Sequence, residues 1–248
     1  MGGAKLDIIN QLRKEILLME GHKPVVRPEG DHSLGPLAGA FPDGGLPVGV
    51  HEFISMETEA AAATVGFVAG LLSHLLQQGG VCLWISAART LFPPALLGFN
   101  IQPDKVIFID LLYDKDVLWA MEEALKCGGL GAVVGEMREI SFTASRRLQL
   151  AIEQSGIMGF VLRHRPRNLN PIASLSRWEV RPLPSIVEPG LPGIGHACFS
   201  VQLLKLRHGQ PAHWELEWCE GMFKARIPWQ ERMPAPVHHN HNITPHVA

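Results

Sequence analysis

Gly45-Leu46-Pro47-Val48-Gly49-Val50-His51-Glu52-Phe53-Ile54, followed by Ser55-Met56-Glu57-Thr58-Glu59-Ala60-Ala61-Ala62, reads as a turn, a short strand and the start of a helix. Nucleotide-binding α/β proteins place a phosphate loop at such a junction. That loop needs glycines so that backbone N–H groups can cradle phosphate, a Lys for the β- and γ-phosphates, and a Ser or Thr hydroxyl for Mg²⁺. The junction residues Ser55, Met56, Glu57, Thr58 and Glu59 include neither Gly nor Lys and carry two carboxylates. Two negative charges repel a triphosphate, and no backbone position is freed for close approach. The expectation is a nucleotide-binding scaffold that takes no cofactor.

The flanking segments alternate between strand and helix signals. Val81–Ile85, Val106–Leu111, Gly131–Val134 and Gly159–Leu162 are continuous apolar runs, the pattern of strands buried on both faces of a parallel sheet. A helix apolar on nearly every side is expected over Thr58–Gln77, ended by Gly79-Gly80, and a short proline-started helix over Phe92–Phe99. Asp114 or Asp116 is expected to cap a helix whose inner face is Val117, Leu118, Met121, Ala124 and Leu125, and another helix is expected from about Thr143 to Gln154. Beyond Arg163 the segments 178–181, 199–206 and 213–218 alternate in polarity, as antiparallel strands at a sheet edge do.

These signals define three regions. Residues 1–43 hold an amphipathic helix, Leu6–Glu20, with a seam of Ile9, Leu12, Ile16 and Met19, and then a connector rich in Pro and Gly. Residues 44–227 form the core, and 228–248 a His- and Pro-rich tail expected to be disordered. A chain of 248 residues with 46% hydrophobic content can bury one substantial core. A net charge of −2 gives no global field that would draw it onto nucleic acid or anionic membrane. Four cysteines (Cys82, Cys127, Cys198, Cys219), widely spaced, suit reduced thiols, with Cys82 and Cys198 in the core. Met1–Lys14 lacks the apolar stretch of a secretory signal, and the run Ala60–Leu76 is broken by Thr64, Ser73 and His74. A cytoplasmic protein without a membrane span is expected.

A mainly parallel sheet with crossover helices and antiparallel edge strands resembles the RecA-like core, over roughly Gly44–Trp218. The resemblance includes the entry turn Gly45-Leu46-Pro47-Val48-Gly49. It also implies positions where catalysis can be checked. After the second strand, Ile85-Ser86-Ala87-Ala88-Arg89 offers no acid to activate water. The fourth strand ends in Gly135, with Glu136 one position late for a Mg²⁺-binding Asp. The fifth closes on Arg163 or His164. With the loop, the water activator and the metal-binding acid all missing, ATP hydrolysis is not expected.

Leu118-Trp119-Ala120-Met121-Glu122-Glu123-Ala124-Leu125-Lys126-Cys127-Gly128, Ala132-Val133-Val134-Gly135-Glu136 and Thr143-Ala144-Ser145-Arg146-Arg147-Leu148-Gln149-Leu150-Ala151 are similar to the ImuA family. Val48–Glu52, Ser174–Trp178 and Trp214–Trp218 fit the same pattern. The resemblance implies a non-catalytic accessory protein of damage-induced, error-prone translesion synthesis. Its implied partners are an ImuB-like Y-family polymerase homologue, an error-prone DnaE-type polymerase and RecA. A SulA-like division inhibitor binding FtsZ is the alternative, and a residual ATPase the third reading.

Between Arg138 and Arg181 stand eight Arg, no Lys, no Asp and three Glu. Arg163, Arg165 and Arg167 follow the fifth strand, where RecA-type proteins place a DNA-contacting loop. Together with Arg146 and Arg147 they are the expected contact with DNA or an acidic partner. The competing reading is a solvated surface. Ile9, Leu12, Ile16 and Met19 are expected either to capture a partner or second copy, or to fold back on the core. His238, His239, His241 and His246 lack Cys or carboxylate neighbours and are not expected to form a metal site. His51 and Glu52 alternate along a strand beside Ser55, so the three do not make a hydrolase set.

Overall fold

A computed structural model describes residues 34–77, 79–87, 91–187 and 193–227. The N-terminal helix with Ile9, Leu12, Ile16 and Met19, and the histidine-rich tail, lie outside the described residues. Among those described, one sheet holds nine strands: β1 (Val50–Ser55), β2 (Val81–Ser86), β3 (Val106–Asp110), β4 (Leu130–Met137), β5 (Met158–His164), β6 (Ser176–Leu183), β7 (Cys198–Leu206), β8 (Ala212–Cys219) and β9 (Met222–Ala225). Their order is β3-β2-β4-β5-β1-β6-β7-β8-β9. The first six in that order run parallel, and β7, β8 and β9 add antiparallel. This is the expected α/β class.

Alternation along β1 sends Phe53 to one face and Val50 to the other, and each face gathers its own core. Helix α1 (Thr58–Gln77) covers the first face. It is apolar on nearly all sides because β8 and β9 reach round it, bringing Trp218 and Phe223 against Gly70. By length and composition α1 could cross a membrane, but two thirds of it lies buried inside the fold, as expected for a core helix. Helices α2 (Asp114–Lys126) and α3 (Phe142–Ser155) cover the second face. The packed part of the chain starts at least as early as Leu34, within the segment expected to be connector. Leu34, Leu37 and Phe41 join the α1-side core through a 3-10 turn at Gly35–Ala40.

Three local expectations are corrected. The 178–181 segment is not an antiparallel edge. It lies in β6, which pairs parallel to β1 from His51↔Ser176 to Ile54↔Glu179 and antiparallel to β7. Its polarity alternates because, among the described residues, no helix covers β6 on the α2–α3 side, where Glu179 is half-buried and Arg181 exposed. Neither Asp114 nor Asp116 caps α2: Tyr113 is the cap residue and makes no side-chain cap bond. The Asp114 carboxylate instead accepts the backbone N–H groups of Arg138 and Glu139 at 3.0 and 3.1 Å, tying the start of α2 to the β4–α3 loop. The Phe92–Phe99 helix is a 3-10 segment, Pro93–Phe99.

Candidate functional site at the C-terminal edge of the sheet

In open α/β sheets ligands sit beyond the carboxyl ends of the strands. Here those ends bring Ser55, Ser86, Glu136 and His164 together. Ser55 Oγ lies 2.8 Å from Thr64 Oγ1 and 3.5 Å from the Ala60 carbonyl, so the junction is stitched directly to the first turns of α1. None of residues 55–59 takes the left-handed conformation. Met56, Glu57, Thr58 and Glu59 are exposed, and the Thr58 hydroxyl accepts a hydrogen bond from Arg165 Nη2 at 2.8 Å. An arginine from β5's end therefore lies over the start of α1, beside two carboxylates.

Glu136 is a correction. β4 continues through Met137, so Glu136 lies within the strand, on the α1 side with Ala132 and Val134. It is almost completely buried. Its carboxylate accepts the Trp84 indole N–H at 2.5 Å and the Ser86 hydroxyl at 3.3 Å, with His164 Nε2 at 3.6 Å. An indole and a hydroxyl thus bind an acid that would otherwise be open to a cation. Among the described residues no three His, Cys, Asp or Glu are placed to hold a metal ion.

His51, Glu52 and Ser55 separate as alternation requires. His51 Nε2–H donates to the Pro47 carbonyl at 2.8 Å, so Nδ1 accepts from Ser176 Oγ at 2.6 Å, and that hydroxyl accepts the Trp178 indole N–H. Complete burial lowers the His51 pKa to about 4, opposed by the bond to Pro47. Burial likewise pushes the Cys82 thiol up, and both Cys82 and Cys198 are buried in the core.

The arginine cluster is divided. Arg163 is not on the surface: it is fully buried on the α2–α3 side of β5. Its Nη1 donates to Glu52 Oε1 at 2.9 Å. Its Nη2 reaches Glu139 Oε2 at 3.3 Å, the Asn168 carbonyl at 2.8 Å and Asn170 Oδ1 at 3.3 Å. Arg177 Nε completes the set on Glu52 Oε2 at 2.6 Å. Two arginines and two carboxylates balance, as buried charges must. Arg163 therefore cannot belong to a binding surface. Arg165 and Arg167 are exposed, and Arg138 Nε holds the Arg165 carbonyl at 2.8 Å. Arg147 pairs with Glu122 at 2.5 Å and Arg146 with Glu153 at 3.6 Å, on exposed faces of α3. The sequence reading missed Glu52, Arg177 and Asn170 as parts of this network. The signal was one carboxylate in β1 and one guanidinium in β5, each the single Asp, Glu, Lys or Arg of its strand.

The chain matches no protein-family profile. It is similar to Protein ImuA of Caulobacter vibrioides (strain NA1000 / CB15N), with 36% identity over 192 residues, 72% of this chain and 79% of that protein. It is also similar to the cell division inhibitor SulA of Photorhabdus laumondii, with 28% identity over 120 residues, 47% of this chain and 68% of that protein.

Proposed function

The chain belongs to the ImuA family, and on that premise we propose that it is a non-catalytic accessory protein of damage-induced mutagenesis, working in an ImuA/ImuB system. In this reading it bridges an ImuB-like Y-family polymerase homologue and an error-prone DnaE-type polymerase, with RecA as a further contact. The non-catalytic part is supported by one arrangement: Ser55 hydrogen-bonded to Thr64, Glu57 and Glu59 exposed, and Arg165 lying on Thr58 where phosphates would have to enter. A RecA-like scaffold without nucleotide chemistry acts through its surfaces. Arg165 and Arg167 are then the exposed residues of a weak, salt-sensitive contact with DNA or an acidic partner.

The test is co-purification of the full chain with ImuB-like and DnaE-type proteins from the same genome. A complex containing all three supports the reading. Failure of both polymerase proteins to bind removes it. The similarity to SulA over 120 residues favours a second reading, a division inhibitor binding FtsZ. FtsZ is therefore included as bait, and its capture in place of the polymerase proteins would select that reading.

A further inference from the structure

On the α2–α3 side, β6, β7 and β8 carry charges of both signs, and those charges are unevenly paired. Glu52 is held by Arg163 and Arg177, Glu179 by Arg181 and Glu215 by Arg226. Lys205 and Arg207, both exposed, form no ion pair with any acid among the described residues. The register sharpens the imbalance, because Lys205 stands directly opposite Arg177 across the β6–β7 pair. Like charges in opposed positions on a sheet repel. Arg207 opens the turn after β7, its N–H on the Leu175 carbonyl at 2.7 Å, and adds a third cation. Partial burial, then the positive charges of Arg177 and Arg207, lower the Lys205 pKa, against the pull of Glu52.

Donors are left over as well. Arg177 spends Nε on Glu52 and Nη2 on the Asn170 carbonyl, which leaves Nη1. Lys205 Nζ reaches the Ser174 carbonyl at 3.4 Å and has two further N–H groups. The Arg207 guanidinium makes no hydrogen bond to a described residue. We propose that Arg177, Lys205 and Arg207 form a seat for the phosphate groups of a DNA backbone. The phosphates supply the negative charge that no described acid provides at this point, and their oxygens take the spare donors. The surroundings favour a backbone over an acidic peptide. A peptide draws most of its affinity from aromatic or aliphatic anchors set in pockets. Beside this seat the exposed side chains are Gln202 and His213, with Leu204 between the strands' polar positions. A phosphodiester chain needs chiefly unpaired cations. The seat is separate from Arg165 and Arg167, which follow β5. The choice of DNA as the ligand rests on the mutagenesis reading above, while the site rests on these three side chains.

Fluorescence anisotropy with the full chain tests it, using a labelled strand of about 20 nucleotides and its duplex, from about 50 to 200 mM salt. Lys205→Gln combined with Arg207→Gln is expected to weaken binding about tenfold or more and to lower the slope of log affinity against log salt by about 2. Each single variant is expected to lose about half of that slope change. Arg181→Gln removes a paired cation from the same face and is expected to change affinity by less than about twofold. Because Lys205 opposes Arg177, the double variant is expected to melt no lower than the parent, which separates lost binding from lost fold. No binding of either probe at the lowest salt, an unchanged affinity in the double variant, or an equal loss in Arg181→Gln would each overturn the proposal. So would polyglutamate that displaces the protein as well as unlabelled DNA of equal charge, since the occupant would then be an acidic peptide. Co-purification with the polymerase proteins is a separate measurement, so the seat and the bridging role can fail independently.

Discussion

Arg163 Nη1 and Glu52 Oε1 meet at 2.9 Å, with neither side chain exposed. The pair joins β5 to β1, and through Nη2 the same guanidinium reaches the 139 and 168–170 segments. Because water cannot replace either partner, removing one leaves an uncompensated charge in the interior.

Arg163→Ala is therefore expected to lower the stability by about 3–5 kcal/mol. Arg165→Ala and Arg167→Ala, at exposed positions, should each change it by less than about 1 kcal/mol. Urea unfolding of the three single variants checks this. If Arg163→Ala melts like the other two, the ion pair is not a structural element.

His51 makes stability depend on pH. Its folded pKa of about 4 lies below the ordinary value of 6.5, so the unfolded chain binds the extra proton more readily. Its contribution is complete above about pH 6.5, declines as the pH falls toward 4, and is lost below that. A shift of this size corresponds to about 3 kcal/mol. His51→Gln should flatten the fall in unfolding free energy between pH 6.5 and 4. An unchanged pH profile would show that other groups carry it.

Gly70→Ala sets two effects against each other. Alanine favours a helix over glycine by up to about 1 kcal/mol. A Cβ at Gly70, however, would stand 2.4 Å from the Phe223 ring and 3.0 Å from that of Trp218. Overpacking of this kind costs about 1–3 kcal/mol, so the variant is expected to melt lower than the parent. A higher melting temperature would mean that β9 moves aside easily.

Calorimetry with Mg-ATP should give no binding in the micromolar range, since Glu57 and Glu59 flank the start of α1 and Arg165 lies across it. A dissociation constant near 10 µM, equivalent to about −7 kcal/mol, would refute the non-catalytic reading.

The fold was legible where a strand is apolar on both faces. The β2, β4 and β5 segments carry that pattern inside the sheet, and β3 carries it at the edge, where Ile107 is exposed. β6 was misread because no described helix covers one of its faces, and a one-sided parallel strand has the same alternation as an antiparallel edge. β9, only Met222–Ala225, is too short to carry a pattern. Asp114 looked like a cap because its residue type and position fit one, yet the β4–α3 loop competes for its carboxylate. The arginine cluster misled for a related reason. Spacing along the chain placed Arg163 beside Arg165 and Arg167, while strand alternation turned it inward, and the register sets Glu52 opposite Val161 and Ile54 opposite Arg163, so that the guanidinium reaches back along the shared face to the carboxylate.

The Ser55–Thr64 and Arg165–Thr58 contacts also constrain how this sequence can change. A glycine or lysine introduced alone at the β1–α1 junction disturbs a helix start already fastened by its own hydroxyls, and it gains no phosphate in exchange. Several replacements would have to arrive together, including one for Arg165, before any nucleotide contributed binding energy.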